Sequence, residues 1–252
     1  MLVATTLIIQ RFGIDEKMAP AGVMKALAAL RNGQFVLIYD ADMREEETDM
    51  VIASEFVTSS VVRTLRKDAG GLICTTADPT IQERLGLPFL TELYLGMGDE
   101  FPIMKRLMPN DIPYDTKSAF GITINHRKTF TGITDKDRAF TIKEFATLAK
   151  RAIAEEDGWG MREFGSNFRA PGHIHLLNTS QRILESRFGH TELATALVIM
   201  AGLVPSATVC EMMGDDGNAL SKEKAGEYAD GHGLVFLTGA EIVEAWKESR
   251  KR

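Results

Sequence analysis

The sequence predicts an α/β (α+β) fold, a single compact domain built on a mixed sheet covered by helices. Two observations carry this. Segments with apolar residues at helical spacing alternate along the chain with short apolar runs rich in β-branched residues. No Pro/Gly/Ser-rich linker, low-complexity tract or internal repeat divides the 252 residues, of which 44% are hydrophobic and 25% charged. Residues 1–252 are therefore expected to form one domain, with 1–20 as an N-terminal segment of no assigned role.

The elements follow in order. AGVMKALAALRNG (21–33) repeats its apolar residues at helical spacing and ends on Asn32-Gly33, a helix stop. QFVLIYD (34–40) reads as a buried strand. SEFVTSSVVRTLRKDAGG (54–71) reads as a second helix closed by Gly70-Gly71, followed by a short strand, LICTT (72–76). SAFGITINH (118–126) alternates as a strand should. TDKDRAFTIKEFATLAKRAIAEED (134–157) opens on an acid, Asp135, and continues as a long amphipathic helix. GHTELATALVIMAG (189–202) is a helix apolar on most sides, SATVCEMM (206–213) a strand, and GAEIVEAWKESRKR (239–252) a terminal helix. EEDGWGMREFGSNFRAPGH (155–173) shows no clear period, and is expected to be an irregular functional loop.

Composition excludes several classes. The net charge of −6 gives no basic surface for nucleic acid. The longest apolar run, LATALVIMAGLV (193–204), is too short to span a bilayer. The N-terminus lacks a basic n-region and a cleavage site, so no secretory signal is expected. Cys74 and Cys210 lack metal-type spacing, and two buried thiols in a reducing cytoplasm are expected. No strand-linked G-x-G-x-x-G points to a dinucleotide.

Four constellations could carry chemistry. YDADMREEETDM (39–50) holds six carboxylates around Arg44. Alone, such a cluster is more often a solvated acidic turn, but it also offers hard oxygen ligands for Mg²⁺ or Mn²⁺. If the chain stays extended, Glu45 and Glu47 share a side, with Asp49 following. RFGHTE (187–192) sets Arg187, Thr191 and a helix N-terminus where a phosphate could be gripped, and His190 where a metal could be bound. The bland alternative is a capped helix with a solvated histidine. APGHIHL (170–176) places His173 and His175 on one side of a strand, and the turn-forming Pro171-Gly172 suggests that His173 is fixed in a loop, poised as an acid or base. Glu211 sits in an apolar strand, costly to bury unless paired or protonated, and proton transfer is one use for it. Cys74 lies at a strand end and reads first as a small core residue.

Taken in order and spacing, FVLIYDADMREEETDMVIA, GGLICTT, TFTGITDKDRAFTI, RAPGHIHLL, RFGHTELATALVIMAGL and VCEMMGDDG resemble the 3,4-dihydroxy-2-butanone 4-phosphate synthase family of riboflavin biosynthesis, in its archaeal form. The resemblance runs from about Gly33 to the C-terminus. It implies a lyase that converts the sugar phosphate D-ribulose 5-phosphate to 3,4-dihydroxy-2-butanone 4-phosphate and formate, with Mg²⁺ or Mn²⁺, two ions per site, and no organic cofactor. It implies Glu45 and His190 as metal ligands, with Glu47 for a second ion. Arg187 and Thr191 would hold the phosphate, and Arg44 and Asp49 the sugar. His173, Glu211 and Asp49 would carry proton transfers, with Thr131 and Cys74 on loops lining the site. It implies a cytoplasmic homodimer with active sites near the interface. Tyr39, Ala41 and Met43 depart from the polar residues of bacterial members. A nucleotide- or RNA-binding module on a related fold is the alternative of a different class, and the charge of −6 argues against it.

Overall fold

The computed structural model describes residues 20–109, 111–115 and 117–251. Its seven strands form one mixed sheet in the order β4-β5-β3-β6-β2-β1-β7. They are β1 (Val36–Tyr39), β2 (Thr48–Ala53), β3 (Cys74–Ala77), β4 (Phe120–His126), β5 (Phe168–Asn178), β6 (Ala207–Glu211) and β7 (Val235–Thr238). The β1–β7 and β3–β5 pairs are parallel and the remaining four antiparallel.

The central strands are buried on both faces, and their period of two divides them between two cores. Leu37, Met50, Ile52 and Cys210 enter one core with α2 (Ser59–Thr64, continued by a π-turn, Leu65–Ala69), α3 (Pro79–Leu85) and α6 (Asp135–Ala154). Val36, Ile38, Val51 and Val209 enter the other with α1 (Ala21–Arg31), α8 (His190–Met200) and α10 (Gly239–Ser249). Three layers result, helices on either side of the sheet. α8 is buried almost all round, which is why its sequence carries no amphipathic stripe. α6 starts where Thr134 accepts the Asp137 N–H, with Asp135 and Asp137 in its first turn, an end that opposes the helix dipole correctly.

The structure corrects the reading of 155–173. Trp159–Asn167 is a helix, α7, and the chain enters β5 at Phe168 without a loop. Its glycines hid the helical period, and one of them is a packing device. A Cβ on Gly160 would lie 2.6 Å from the Arg84 carbonyl and 2.9 Å from the Ala152 Cβ, so glycine lets α7 press against α3 and α6. Trp159 and Phe164 pack on the core, and Phe164 stacks on Phe168 at 5.1 Å. Pro171 and Gly172 likewise lie inside β5, where the Ala170–Pro171 peptide is cis and the β4 register shifts at Ile124/Asn125. The second helix begins at Ser59, after a 3₁₀ turn at Ser54–Phe56. Sequence periodicity also missed β2, α9 (Lys222–His232) and β7. α9 buries only Ala225 and Ala229, too narrow a stripe to register. α4 (Leu90–Gly96) and α5 (Ile103–Arg106) bury no residue and lie toward one end of the sheet.

Candidate active site

The acidic segment is the return from β1 to β2, and one buried side chain organises it. Asp40 accepts hydrogen bonds from the Glu45 N–H (3.0 Å), the Glu47 N–H (3.2 Å) and Arg44 Nη1 (2.9 Å). Such side-chain-to-backbone bonds replace a strand ladder with a turn. Met43 and Glu46 accordingly take positive φ, and the chain is not extended here. The expected alternation of Glu45 and Glu47 therefore fails. The Glu45 carboxylate meets His190, whereas Glu47 offers His190 Nε2 its backbone carbonyl at 3.1 Å.

His190 is the first residue of α8, so the helix start fixes where its ring projects. Its Nδ1 lies 2.9 Å from Glu45 Oε2, and its Nε2 lies 3.7 Å from Asp49 Oδ1. Burial disfavours the imidazolium, but the Asp49 charge and the Glu45 hydrogen bond outweigh it and raise the pKa to about 10. Burial would raise Glu45 too, but the hydrogen bond and charge of His190, with Arg44 and Arg187, hold it below the usual range. Glu47 moves up, through burial and then repulsion from Glu45 and Glu211.

Asp49 is brought in by strand pairing. The β2–β6 register sets Asp49 opposite Glu211. Asp49 is 2% exposed, and its Oδ1 has no hydrogen-bond partner. Burial first, then repulsion from Glu211, Glu45 and Glu47, pushes its pKa to about 8 against the pull of His190. Glu211 lies at the end of β6, partly exposed, and accepts the Leu72 N–H at 2.7 Å.

The cation pair lies beside this cluster. Arg187 reaches Glu192 (2.6 Å) and Asp115 (2.7 Å), and Arg44 reaches Asp115 (2.9 Å). A Cβ on Gly189 would fall 2.7 Å from a terminal nitrogen of each arginine, so the bare glycine leaves room for the two guanidinium groups as they converge on the start of α8. Glu45, Asp49, Arg187, His190, Thr191 and Glu211 all line one cavity of about 370 Å³, which Leu90, Tyr94, Tyr114 and Asp115 close from the α4–α5 side. A larger cavity of about 460 Å³, lined by Asp78, Lys150, Ile199, Trp246 and others, contains none of the sequence-predicted site residues.

Other predicted residues are elsewhere. Cys74 is a buried β3 residue rather than a loop residue, and burial drives its thiol well above the ordinary range. His173 is exposed on β5, and Thr131 is exposed on the turn after β4. Asn125 joins these two: its Oδ1 accepts the His173 N–H (2.9 Å), its Nδ2 lies 3.1 Å from His173 Nδ1, and it donates to the Thr131 carbonyl (3.4 Å). Gly172 permits this, since a Cβ there would sit 1.9 Å from the Ile124 carbonyl carbon. Sequence reasoning missed Asn125, Asp40 and Asp115. Asp40 could have been found as the acid that ends an apolar strand before a turn; the other two bear no local signal. His175, on the same side of β5 as His173, has a buried Nδ1 without a partner, and burial lowers its pKa against the pull of Glu211.

The donor set fits a hard divalent ion. Carboxylates outnumber cations in the cluster, the half-buried Glu47 and the buried Asp49 have raised pKa values, and Asp49 Oδ1 lacks a partner. Asp40, Glu45 and His190 bring ligand atoms within 4.8 Å of one another. Asp40 is already committed to three hydrogen bonds, which leaves Glu45 and His190 as the better ligands.

A family model described as 3,4-dihydroxy-2-butanone 4-phosphate synthase matches residues 24–245. The chain belongs to that family. A synthase of this name from Methanothermobacter thermautotrophicus is 48% identical over 229 residues, 90% of this chain and 97% of that one. One from Archaeoglobus fulgidus is 41% identical over 230 residues, 90% of this chain and 94% of that one. One from Neisseria meningitidis serogroup B is 32% identical over 88% of this chain but 53% of its own. The likeness is thus greater to the archaeal synthases. A solved structure of such a synthase in complex with two magnesium ions superimposes with a TM-score of 0.68 at 25% identity, covering 87% of this chain and 94% of that one. A cation-free synthase structure gives 0.69 at 25% identity, over 91% and 98%. The family's mixed α/β fold is the one described above, and among the described residues no helix is long and apolar enough to cross a membrane.

Proposed function

We infer that this chain is a metal-dependent lyase converting D-ribulose 5-phosphate to 3,4-dihydroxy-2-butanone 4-phosphate and formate in riboflavin biosynthesis. One observation carries the reading: a cavity in which the Glu45–His190 pair and the Asp49–Glu211 pair face Arg187 and Thr191. A ketose phosphate needs a grip for its phosphate, a ligand set for its oxygens and groups that exchange protons, and the cavity offers all three.

Arg187, Thr191 and the start of α8 hold the phosphate, where cation, hydroxyl and helix dipole act together. Arg44 and Asp49 contact the sugar. Glu45 and His190 hold a divalent cation, Mg²⁺ or Mn²⁺, and Glu47 a second. The bound ions supply Lewis acidity that stabilises a developing enediolate and acidifies the hydroxyls. Asp49, with a pKa of about 8, accepts and returns protons near neutrality, and Glu211 across the strand pair serves a second transfer. Tyr94 and Tyr114 add an aromatic wall to the cavity beside these groups. No organic cofactor takes part.

His173 and Thr131 form an exposed ledge held by the buried Asn125, and Phe130 and Ile133 beside it are 93% and 51% exposed. A homodimer that covers this ledge, with His173 serving the partner's cavity, accounts for that placement. The protein acts in the cytoplasm as a single-domain enzyme, without nucleic acid or membrane partners.

The test is direct. Purified protein is incubated with ribulose 5-phosphate and Mg²⁺, and the expected products, formate and the four-carbon phosphate, are followed by NMR. Absence of both from folded, metal-replete protein would overturn the assignment.

A further inference from the structure

Arg44 comes from the β1–β2 turn and Arg187 from the approach to α8, yet their guanidinium groups meet on one oxygen. Asp115 Oδ2 accepts from Arg44 Nη2 at 2.9 Å and from Arg187 Nε at 2.7 Å. Two guanidinium groups, the Thr191 hydroxyl and the N-terminal end of an 11-residue helix are the chemistry that recognises a phosphomonoester. In this structure the anion between the two arginines belongs to the protein. Asp115 sits on the segment between α5 and β4, several of whose residues (Leu107, Pro109, Ile112, Tyr114) line the same cavity. Tyr114 stacks against Arg44, with the guanidinium 5.6 Å from the ring centre. The preceding helices, α4 and α5, bury no residue, so ion pairs rather than packing tie this wall of the cavity down.

We propose that Asp115 is a displaceable internal anion that gates the cavity for phosphorylated ligands. This rests on the functional reading above for the identity of the phosphomonoester. Asp115 holds Arg44 and Arg187 together and keeps the wall that carries Leu107, Ile112 and Tyr114 closed while no ligand is bound. A phosphate dianion carries more charge than a carboxylate and outcompetes Asp115 for Arg187, which frees Arg44 for the sugar and releases the wall. A neutral sugar cannot, because it has no anion to exchange. Asp115 is thus a positioning residue that converts the presence of a phosphate into access. It also carries a cost: the pocket is competent to bind phosphate only in the fraction of molecules where Asp115 has left.

The cost makes the role measurable without catalysis. Inorganic phosphate is titrated calorimetrically into the wild-type protein and into Asp115→Asn and Asp115→Ser, in a buffer free of competing oxyanions. Removal of the competing charge is expected to tighten phosphate binding about tenfold in both variants. Unchanged or weaker binding in the folded variants overturns the proposal, since a merely structural carboxylate would loosen the arginines when removed. Amide exchange of the wild-type protein requires no substitution. Phosphate is expected to speed exchange at the amides of 111–115 and 117–119, and unchanged or slower exchange there also overturns the proposal. Turnover of ribulose 5-phosphate by the same preparation is read separately. Its absence overturns the assigned reaction while the phosphate affinities still decide the role of Asp115. Turnover with unchanged phosphate affinity in both variants overturns Asp115 alone.

Discussion

The Glu45–Asp49–His190 cluster and the His173–Asn125–Thr131 ledge each fix a histidine by hydrogen bonds from neighbouring elements, yet they differ in nearly every physical respect. The cluster is largely buried, charged and crowded: burial and repulsion push Asp49 to about 8, whereas His190 and the arginines hold Glu45 below the usual range against burial. On the ledge His173 and Thr131 are exposed, and the buried Asn125 side chain ties them by hydrogen bonds. The first has its reactivity built in by one chain. The second supplies an oriented imidazole whose environment has still to be completed.

The comparison breaks first at the cluster. Glu45→Gln and His190→Ala should each lower kcat/KM by at least ~100-fold and abolish divalent-ion binding by calorimetry, with far-UV circular dichroism unchanged. Near-normal activity in either would remove the pair from the metal site. Asp49→Asn should lose roughly 10²- to 10⁴-fold in kcat, the range for a positioned acid–base group. It should also melt higher than wild type near neutral pH, because no carboxyl then has to be neutralised on folding. A lower melting temperature would show that Asp49 is structural.

At the ledge, Asn125→Ala leaves His173 in place but unoriented. We expect about a tenfold fall in kcat with KM little altered, smaller than the ~100-fold or more of His173→Ala. Equal losses in the two variants would mean that Asn125 itself touches the substrate.

The smallest effect is outside both regions. Asp78 caps α3 by accepting the Ile81 N–H, but burial raises its pKa from 3.8 to about 6. Between those values the folded protein binds more protons than the unfolded chain, so stability should fall as pH rises from about 4 to 6 and then level. Asp78→Asn keeps a capping oxygen without the charge. It should add about 1–2 kcal/mol at pH 7 and flatten that pH dependence in urea melts. No gain at pH 7 would mean that the ionised cap is fully compensated by its backbone bonds.

Much of the fold was legible because periodicity records burial locally. α1, β1, α6, α8, β6 and α10 each carry their own spacing or apolar run. α7 was not legible, since Gly160 serves contacts with Arg84 and Ala152 that lie far away in sequence. The Pro171-Gly172 pair suggested a turn but belongs to a strand bulged against β4. Motif order brought Glu45, Asp49, Arg187, His190, Thr191 and Glu211 to one cavity, while local reasoning about extended chain misplaced the Glu47 carboxylate.

The sequence by itself determined the fold class and family, and which residue types meet: acids after β1, an arginine and histidine before α8, a glutamate ending β6. Motif order and hydrophobic period are properties of the chain, and both survive without coordinates. Only the tertiary structure decided which acid is buried, that Asp40 is the hub of the turn, that Asn125 orients His173, and that Asp115 occupies both arginines. Asp40 works within its own turn, but the others depend on segments distant in sequence, Asn125 with His173, Arg187 with Asp115 and Asp49 opposite Glu211, and on desolvation that packing alone sets.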